Sequence, residues 1–532
     1  MHESITDSAR YDRILGGEGL HRSGFDPQTF DFGVVRYSKP DIGGFDGMTA
    51  AVSLNRQADG RFEQARPNTR LDRQEATTTA LGYQIQGHRD FASRHQFIVG
   101  GELYDESIDA SRQLVEPSGV VTASRPDIPD GTSYTSVGLF AQQRVELIPD
   151  RLSVRGGLRY SRLGFGTAAD AALGVFEENV SMRSVTFETA AVVNLTDRLN
   201  LTANVTHGFR APNASDFGTI GLTGGGGFEI APSRAVSMDA LVGSTAAANA
   251  VSTGERVTGL RPEVAYQYEL GLKARTGRFS GVVNGFDMEI FDFIQRRAVV
   301  FDTSVVGTTI SGFQIVRQDD AGLAYIAQDV RPIATRVNVD RARVHGFDVE
   351  GEARLLSSWT AKAYFSMTQG WLLPAGESLP RMPPQMGGAR LRWNGRRLWT
   401  EGVITFATER TGLNSADLSN ARIGALRTRT SIANFFNGTA TDMGLVRDGV
   451  LVHTGETLPQ IQDRVLGTAA SAPLYTTQPG FFVMGLRAGV RIVSRVDMTV
   501  IGENLGDVNY RVLDSGLDAP GLNVQVRMRY RC

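Results

Sequence analysis

An all-β fold, a transmembrane antiparallel β-barrel, is the class predicted by this 532-residue sequence, and three observations predict it. Apolar and polar residues alternate with a period of two over stretches of about ten residues or more, which turns one face of each stretch toward an apolar medium. Turns of a few residues and long polar connections follow each other along the chain, as in membrane barrels with one trimmed and one elaborate rim. No run approaches the ~18 consecutive apolar residues of a membrane-spanning helix, and the mean hydropathy is −0.16.

The alternation is clearest from Glu263 to Arg275, where Val264, Tyr266, Tyr268, Leu270, Leu272 and Ala274 lie opposite Glu263, Gln267, Glu269, Gly271 and Lys273. Between Phe482 and Ile492, Met484, Leu486, Ala488 and Val490 lie opposite Gly485, Arg487, Gly489 and Arg491. At the chain end Val524, Val526, Met528 and Tyr530 oppose Gln525, Arg527, Arg529 and Arg531. Val185, Phe187, Ala191 and Val193 likewise oppose Thr186, Glu188 and Asn194, and a turn at Thr196-Asp197-Arg198 leads to Leu199, Leu201, Ala203 and Val205. Short turns are expected at 88–94, 148–151, 196–198, 276–278, 356–358, 395–397 and 494–495. Long connections are expected at 58–78, 105–134, 166–182, 211–262, 298–335, 372–386, 410–480 and 507–521. Trp359, Trp393 and Trp399 beside short turns, and Trp371 near the other end of its strand, suit the two aromatic girdles of such a barrel. A soluble β-array is disfavoured, because no repeat of 20 to 50 residues recurs.

Composition removes other classes. Lys39, Lys273 and Lys362 are the only lysines and the formal net charge is −2, so no basic footprint for nucleic acid exists. Cys532 stands alone, which excludes an intramolecular disulfide framework and a Cys-based zinc site. Neither a His-Glu-x-x-His helix nor a Gly-x-Ser-x-Gly elbow occurs, so no enzyme, cofactor or metal site is predicted. The run Gly224–Gly227 lacks the Lys-Ser/Thr of a phosphate-binding loop and reads as flexible. Met1 to Asp7 lacks the basic start and apolar core of a secretory signal.

Four stretches, in order, resemble the C-terminal barrel of TonB-dependent outer-membrane receptors. They are Phe209-Arg210-Ala211-Pro212-Asn213; Leu260-Arg261-Pro262-Glu263 running on to Lys273; Asn338 to Glu352 with its Gly346-Phe347-Asp348 step; and Glu503-Asn504-Leu505-Gly506-Asp507-Val508-Asn509-Tyr510. The resemblance implies a 22-stranded barrel around an N-terminal plug. It also implies outer-loop binding of a large scarce solute, most simply a ferric siderophore or other iron chelate, and import coupled by the inner-membrane TonB transducer. About 17 candidate strands can be traced, beginning near Phe30. The expectation is therefore an incomplete barrel over 30–532, about 17 of 22 strands, with 1–29 as part of an extracellular loop and the plug and signal peptide outside this sequence. The lipid bilayer and the barrel-assembly machinery, which in the family reads an aromatic residue ending the last strand, are expected partners. Here Arg531-Cys532 follow Tyr530.

Glu269, Lys273, Asp348, Glu350, Arg487, Arg491, Arg527 and Arg529 are expected on the inward face. They either form a polar lumen for solute and plug or neutralise one another across strands. Phe435, Phe436 and Tyr475 are candidates for solute contact from a long loop, with packing inside the loop as the equal alternative. His207 falls on the outward parity of its strand, whereas His345 and His453 stay open as metal ligands. Three functions remain: energised uptake of a scarce solute, a plugless passive pore, and a surface adhesin or phage-attachment protein.

Overall fold

The computed structural model describes the chain except for residues 17, 174, 176, 214–215, 218–220, 223–226, 374–375 and 531–532. Its frame is one antiparallel sheet of long strands joined in chain order: β1 (Arg22–Ile42), β2 (Phe45–Gln64), β3 (Leu71–Phe91), β4 (His95–Val115), β5 (Thr132–Ile148), β6 (Leu152–Thr167), β7 (Glu178–Thr196), β8 (Leu199–Arg210), β9 (Glu263–Arg275), β10 (Phe279–Val300), β11 (Ala334–Leu356), β12 (Trp359–Leu373), β13 (Met386–Asn394), β14 (Leu398–Ala407), β15 (Phe481–Val493), β16 (Val496–Glu503) and β17 (Asn523–Tyr530). These are the seventeen segments expected from the alternation. No helix among the described residues is long and apolar enough to cross a membrane.

The strands are longer than the sequence suggests on one side. β2, β3 and β4 run for 20, 21 and 21 residues, about twice the 9–11 needed to cross a bilayer. They therefore continue past the bilayer as paired ribbons. The expected connection at 58–78 contracts to residues 65–70, and 105–134 is largely strand, including Val121–Ser124 paired with the end of β4. Residues 1–29 also depart from a simple loop, because Arg22 already begins β1, and His2–Ile5 and Ser8–Ala9 pair along its outer half. Beyond the bilayer both faces of a ribbon meet water, so the periodicity that marks a strand vanishes there.

The opposite rim is trimmed by tight turns. Ile42 pairs with Phe45 across Gly43-Gly44, whose φ values of +57° and +84° suit glycine in a two-residue hairpin. Among the described residues β17 pairs only with β16, and no pairing joins it to β1.

Register sorts the two faces as the period predicts. Leu201–Leu272 and Val205–Tyr268 are directly opposed on one face, and Asn200–Lys273 and Asn204–Glu269 on the other. Tyr268, Leu270 and Leu272 stand 50%, 58% and 42% exposed, as a lipid-facing row must in the absence of lipid, while Glu263 on the other row is 7% exposed. On the outward face the rings of Phe187, His207, Tyr266 and Phe291 form a ladder over four strands, with centroid separations of 5.3, 4.7 and 6.1 Å. His207 thus lies outward, as its parity requires.

The tryptophans need one correction. Trp359 and Trp393 pair outward beside the short turns, and Trp371 lies near the elaborate rim with His345 5.0 Å away. Trp399 instead shares the inward row with Glu401, packs on Gly489 and carries the Arg392 guanidinium 4.1 Å above its ring. Nearness to a turn did not decide its face; parity did.

Candidate functional site

The eight charged candidates, Glu269, Lys273, Asp348, Glu350, Arg487, Arg491, Arg527 and Arg529, lie on β9, β11, β15 and β17 on the row opposite the exposed apolar one. Arg487 lies 3.6 Å from Glu401 and 3.4 Å from Glu503, Glu401 lies 3.9 Å from Arg392, and Arg491 lies 3.4 Å from Asp497. Asp348 accepts from Ser366 Oγ at 2.6 Å, and Glu269 accepts from Gln267 Nε2. For Arg487 and Arg491 charge satisfaction between strands describes the geometry, whereas Asp348 and Glu269 meet neutral donors. Lys273 and Glu350 both stand opposite Val282, and Arg527 stands opposite Thr499. Toward the trimmed rim Arg392, Arg396, Arg397, Arg491, Arg527 and Arg529 line, with Asp497, a cleft of about 420 Å³.

The wall is not polar throughout. Phe286, Met288, Ile290, Ala342, Val344 and Leu372 form an inward apolar patch covered by Leu379 and Met382 from the connection after β12. Gly370 makes the approach possible, since a Cβ there would lie 2.8 Å from Leu379 and 2.9 Å from the Met382 sulfur. That connection therefore folds over the interior instead of standing away from it.

The stretches that carry the resemblance occupy mechanical junctions. Arg210, at the end of β8, forks onto Glu263, at the start of β9, through Nε at 2.7 Å and Nη2 at 2.9 Å, and its Nη1 donates to Asp216 at 2.8 Å. Glu263 also accepts the Ile294 N–H at 2.7 Å, which ties β10 to the same point. Phe209 lies outward opposite Val264, while Ala211, Pro212 and Pro262 carry the chain into and out of the 211–262 connection. Asp216 escaped the sequence reading. Its signal was the Asn213-x-x-Asp216 spacing, for Asn213 and Asp216 exchange side-chain to backbone hydrogen bonds of 3.1 Å in both directions.

Asn504 sits buried at φ +50°. It donates to the Val508 and Pro520 carbonyls at 2.8 and 3.1 Å and accepts the Val508 N–H at 2.9 Å. Tyr510 in the same loop packs on Phe481, with centroids 4.6 Å apart. Asn504→Ala removes three hydrogen bonds and an αL-tolerant residue. It is expected to destabilise the loop by about 2–3 kcal/mol, read as faster proteolysis within 504–522 while the barrel persists.

The long connections are built as packed modules. Phe228, Ile230, Val299, Phe301, Ile315 and Ile333 share one dry core that joins 211–262 to 301–333. In 408–480 the helices Arg429–Asn437 and Leu458–Leu466 each begin with a capping box, at Thr428–Ser431 and Thr457–Gln460. Phe436 is buried between them, Phe435 packs against the same core and Gly19, and Tyr475 lies under the Arg511 guanidinium at 4.5 Å. All three solute candidates are thus engaged in packing within and between loops. The buried Arg410–Asp417 pair at 3.0 Å, which the sequence reading missed, fastens this module to the connection after β12, where the Arg381 N–H donates to Asp417 at 2.9 Å. No spacing signal joins residues that meet only through folded loops. His345 lies outward on β11 and His453 lies in the turn after Leu451. Among the described residues no group of three His, Cys, Asp or Glu side chains is placed to hold a metal ion, and the run Gly224–Gly227 lies outside them except for Gly227.

Residues 6–505 match the family described as TonB dependent receptor-like, beta-barrel. The chain belongs to the TonB-dependent receptor family. Barrels of this family are outer-membrane proteins of transport, not enzymes. No curated protein matches the chain in sequence. Among solved structures the fold is similar to the copper transporter OprC, with TM-score 0.65 and 13% identity over 96% of this chain and 66% of that one. It is also similar to the FrpB iron transporter from Neisseria meningitidis (F5-1 variant), with TM-score 0.58 and 12% identity over 96% and 64%. The ferric citrate transporter FecA in its unliganded form gives TM-score 0.59 and 12% identity over 98% and 64%. The chain thus spans 64–66% of the length of these receptors.

Proposed function

We propose that this barrel serves energised uptake of a large, scarce solute across the outer membrane, with an iron chelate as cargo and the TonB transducer as energy source. The observation that supports the reading is a receptor-family wall whose Lys273, Glu350 and Arg527 make no ion pair among the described residues, beneath outer connections packed into modules. A rigid scaffold presenting structured loops is how recognition sites are commonly built. Metal-bearing cargo is named for FrpB, FecA and OprC, which supports that solute class. Assembly through the last strand, Asn523–Tyr530, by the barrel-assembly machinery belongs to the same proposal.

The test is uptake of radioiron presented on a panel of chelators by cells carrying or lacking the complete gene, with and without an uncoupler of the proton-motive force. Uptake that requires both the gene and the force is the expected result. Gene-dependent uptake that ignores the uncoupler would indicate a passive pore. Unchanged uptake and growth on every chelate would indicate a surface protein that moves nothing.

A further inference from the structure

Arg162 of β6 and Arg183 of β7 are directly opposed across the sheet. Both are exposed and share the outward face with Leu158, Tyr160, Val185 and Phe187, whose own exposures run from 37% to 61%. Two like charges in direct opposition destabilise a strand pair unless something stands between them. Among the described residues neither guanidinium makes a hydrogen bond or an ion pair. Arg343 of β11, also outward, behaves differently, since it forks onto Asp287 at 2.9 and 2.6 Å.

Their height is fixed by register. The Leu152–Val193 pair begins the ribbon at the trimmed rim, and Arg162–Arg183 lies ten residues further out along both strands. Ten residues at ~3.3 Å, on strands tilted by about 40°, rise roughly 25 Å, the height of a barrel's apolar band. The pair therefore sits where acyl chains give way to headgroups, directly above Tyr160 and Val185.

We infer that Arg162 and Arg183 form an external clamp for the phosphate of an outer-leaflet lipid headgroup. A phosphate between two guanidinium forks removes their mutual repulsion and accepts paired hydrogen bonds from each. The lipid's acyl chains then lie against Tyr160, Leu158 and Val185. The site faces away from the interior and is independent of the cargo reading.

The test compares the full chain with R162Q/R183Q and R162K/R183K in a neutral detergent, by native mass spectrometry with diphosphoryl lipid A or phosphatidylcholine as probe. Heat-modifiable gel migration checks folding of each variant. Retention of lipid A is expected to fall roughly 10- to 30-fold in the glutamine variant, with phosphatidylcholine retention unchanged. The lysine variant, which keeps charge and loses the fork, should fall between, and it carries the test alone should the glutamine variant not fold. Equal lipid A retention by the parent chain and the variants would overturn the inference. So would full displacement of lipid A by inorganic phosphate at equal concentration, which marks a free-anion site, or loss of the effect on dilution to monomer, which marks a contact between copies.

Discussion

Gly346→Val is expected to prevent the barrel from forming. Gly346 lies in β11 opposite Phe286 of β10 and Met367 neighbours it on β12. A Cβ there would collide with the Met367 carbonyl oxygen and meet the Phe286 ring at 2.8 Å, so backbone and an inward aromatic would both have to move. Overpacking of this kind costs typically 1–3 kcal/mol, and more where backbone is the obstacle; a β-branched residue pressed against two strands should exceed ~3 kcal/mol. The glycine of the Gly346-Phe347-Asp348 step thus exists to let Phe286 lie flat on the wall. The measurement is heat-modifiable migration of the outer-membrane fraction, where the variant should show only the unfolded band. Gly351→Val, at an outward site with ordinary contacts, should fold.

The second large effect is expected at the β8–β9–β10 junction. Glu263→Ala removes both acceptors of the Arg210 fork and leaves the Ile294 N–H without its partner. Breaking a buried, hydrogen-bonded ion pair costs 3–5 kcal/mol; with Arg210 partly exposed, about 2–3 kcal/mol is expected here. Glu263→Gln keeps an acceptor for the Ile294 N–H and should lose about half as much. Guanidinium unfolding midpoints, ordered parent, Gln, Ala, check the account, and an Ala variant as stable as the parent would refute it.

The parts of the fold legible in the sequence are those where the two faces of a strand meet different media. β9 could be read residue by residue because lipid and interior select opposite chemistry at Leu270 and Glu269. The outer halves of β2–β4 could not, because Asp105-Glu106-Ser107 belongs to a ribbon wetted on both faces. Trp399 was misplaced because distance from a turn was used where parity decides. The helices of 408–480 were not read from the sequence, although Thr457-Leu458-Pro459-Gln460 carries a capping-box spacing with Pro in the first turn. The site was less legible than the wall: parity placed Arg487 on the interior face, but only folded loops show that Phe436 is core and that Arg410 meets Asp417.

The central claim is that one row of each ribbon faces hydrocarbon and the other an aqueous interior. Single cysteines at positions 268 to 273, in a chain whose Cys532 is replaced by serine, test it through a water-soluble maleimide and a bromolipid-quenched fluorophore in outer-membrane vesicles. Positions 268, 270 and 272 should be quenched by lipid and resist the maleimide, while 269, 271 and 273 should react and escape quenching. Inverted alternation, or equal labelling of both rows, would contradict the membrane-spanning barrel and every conclusion built on it.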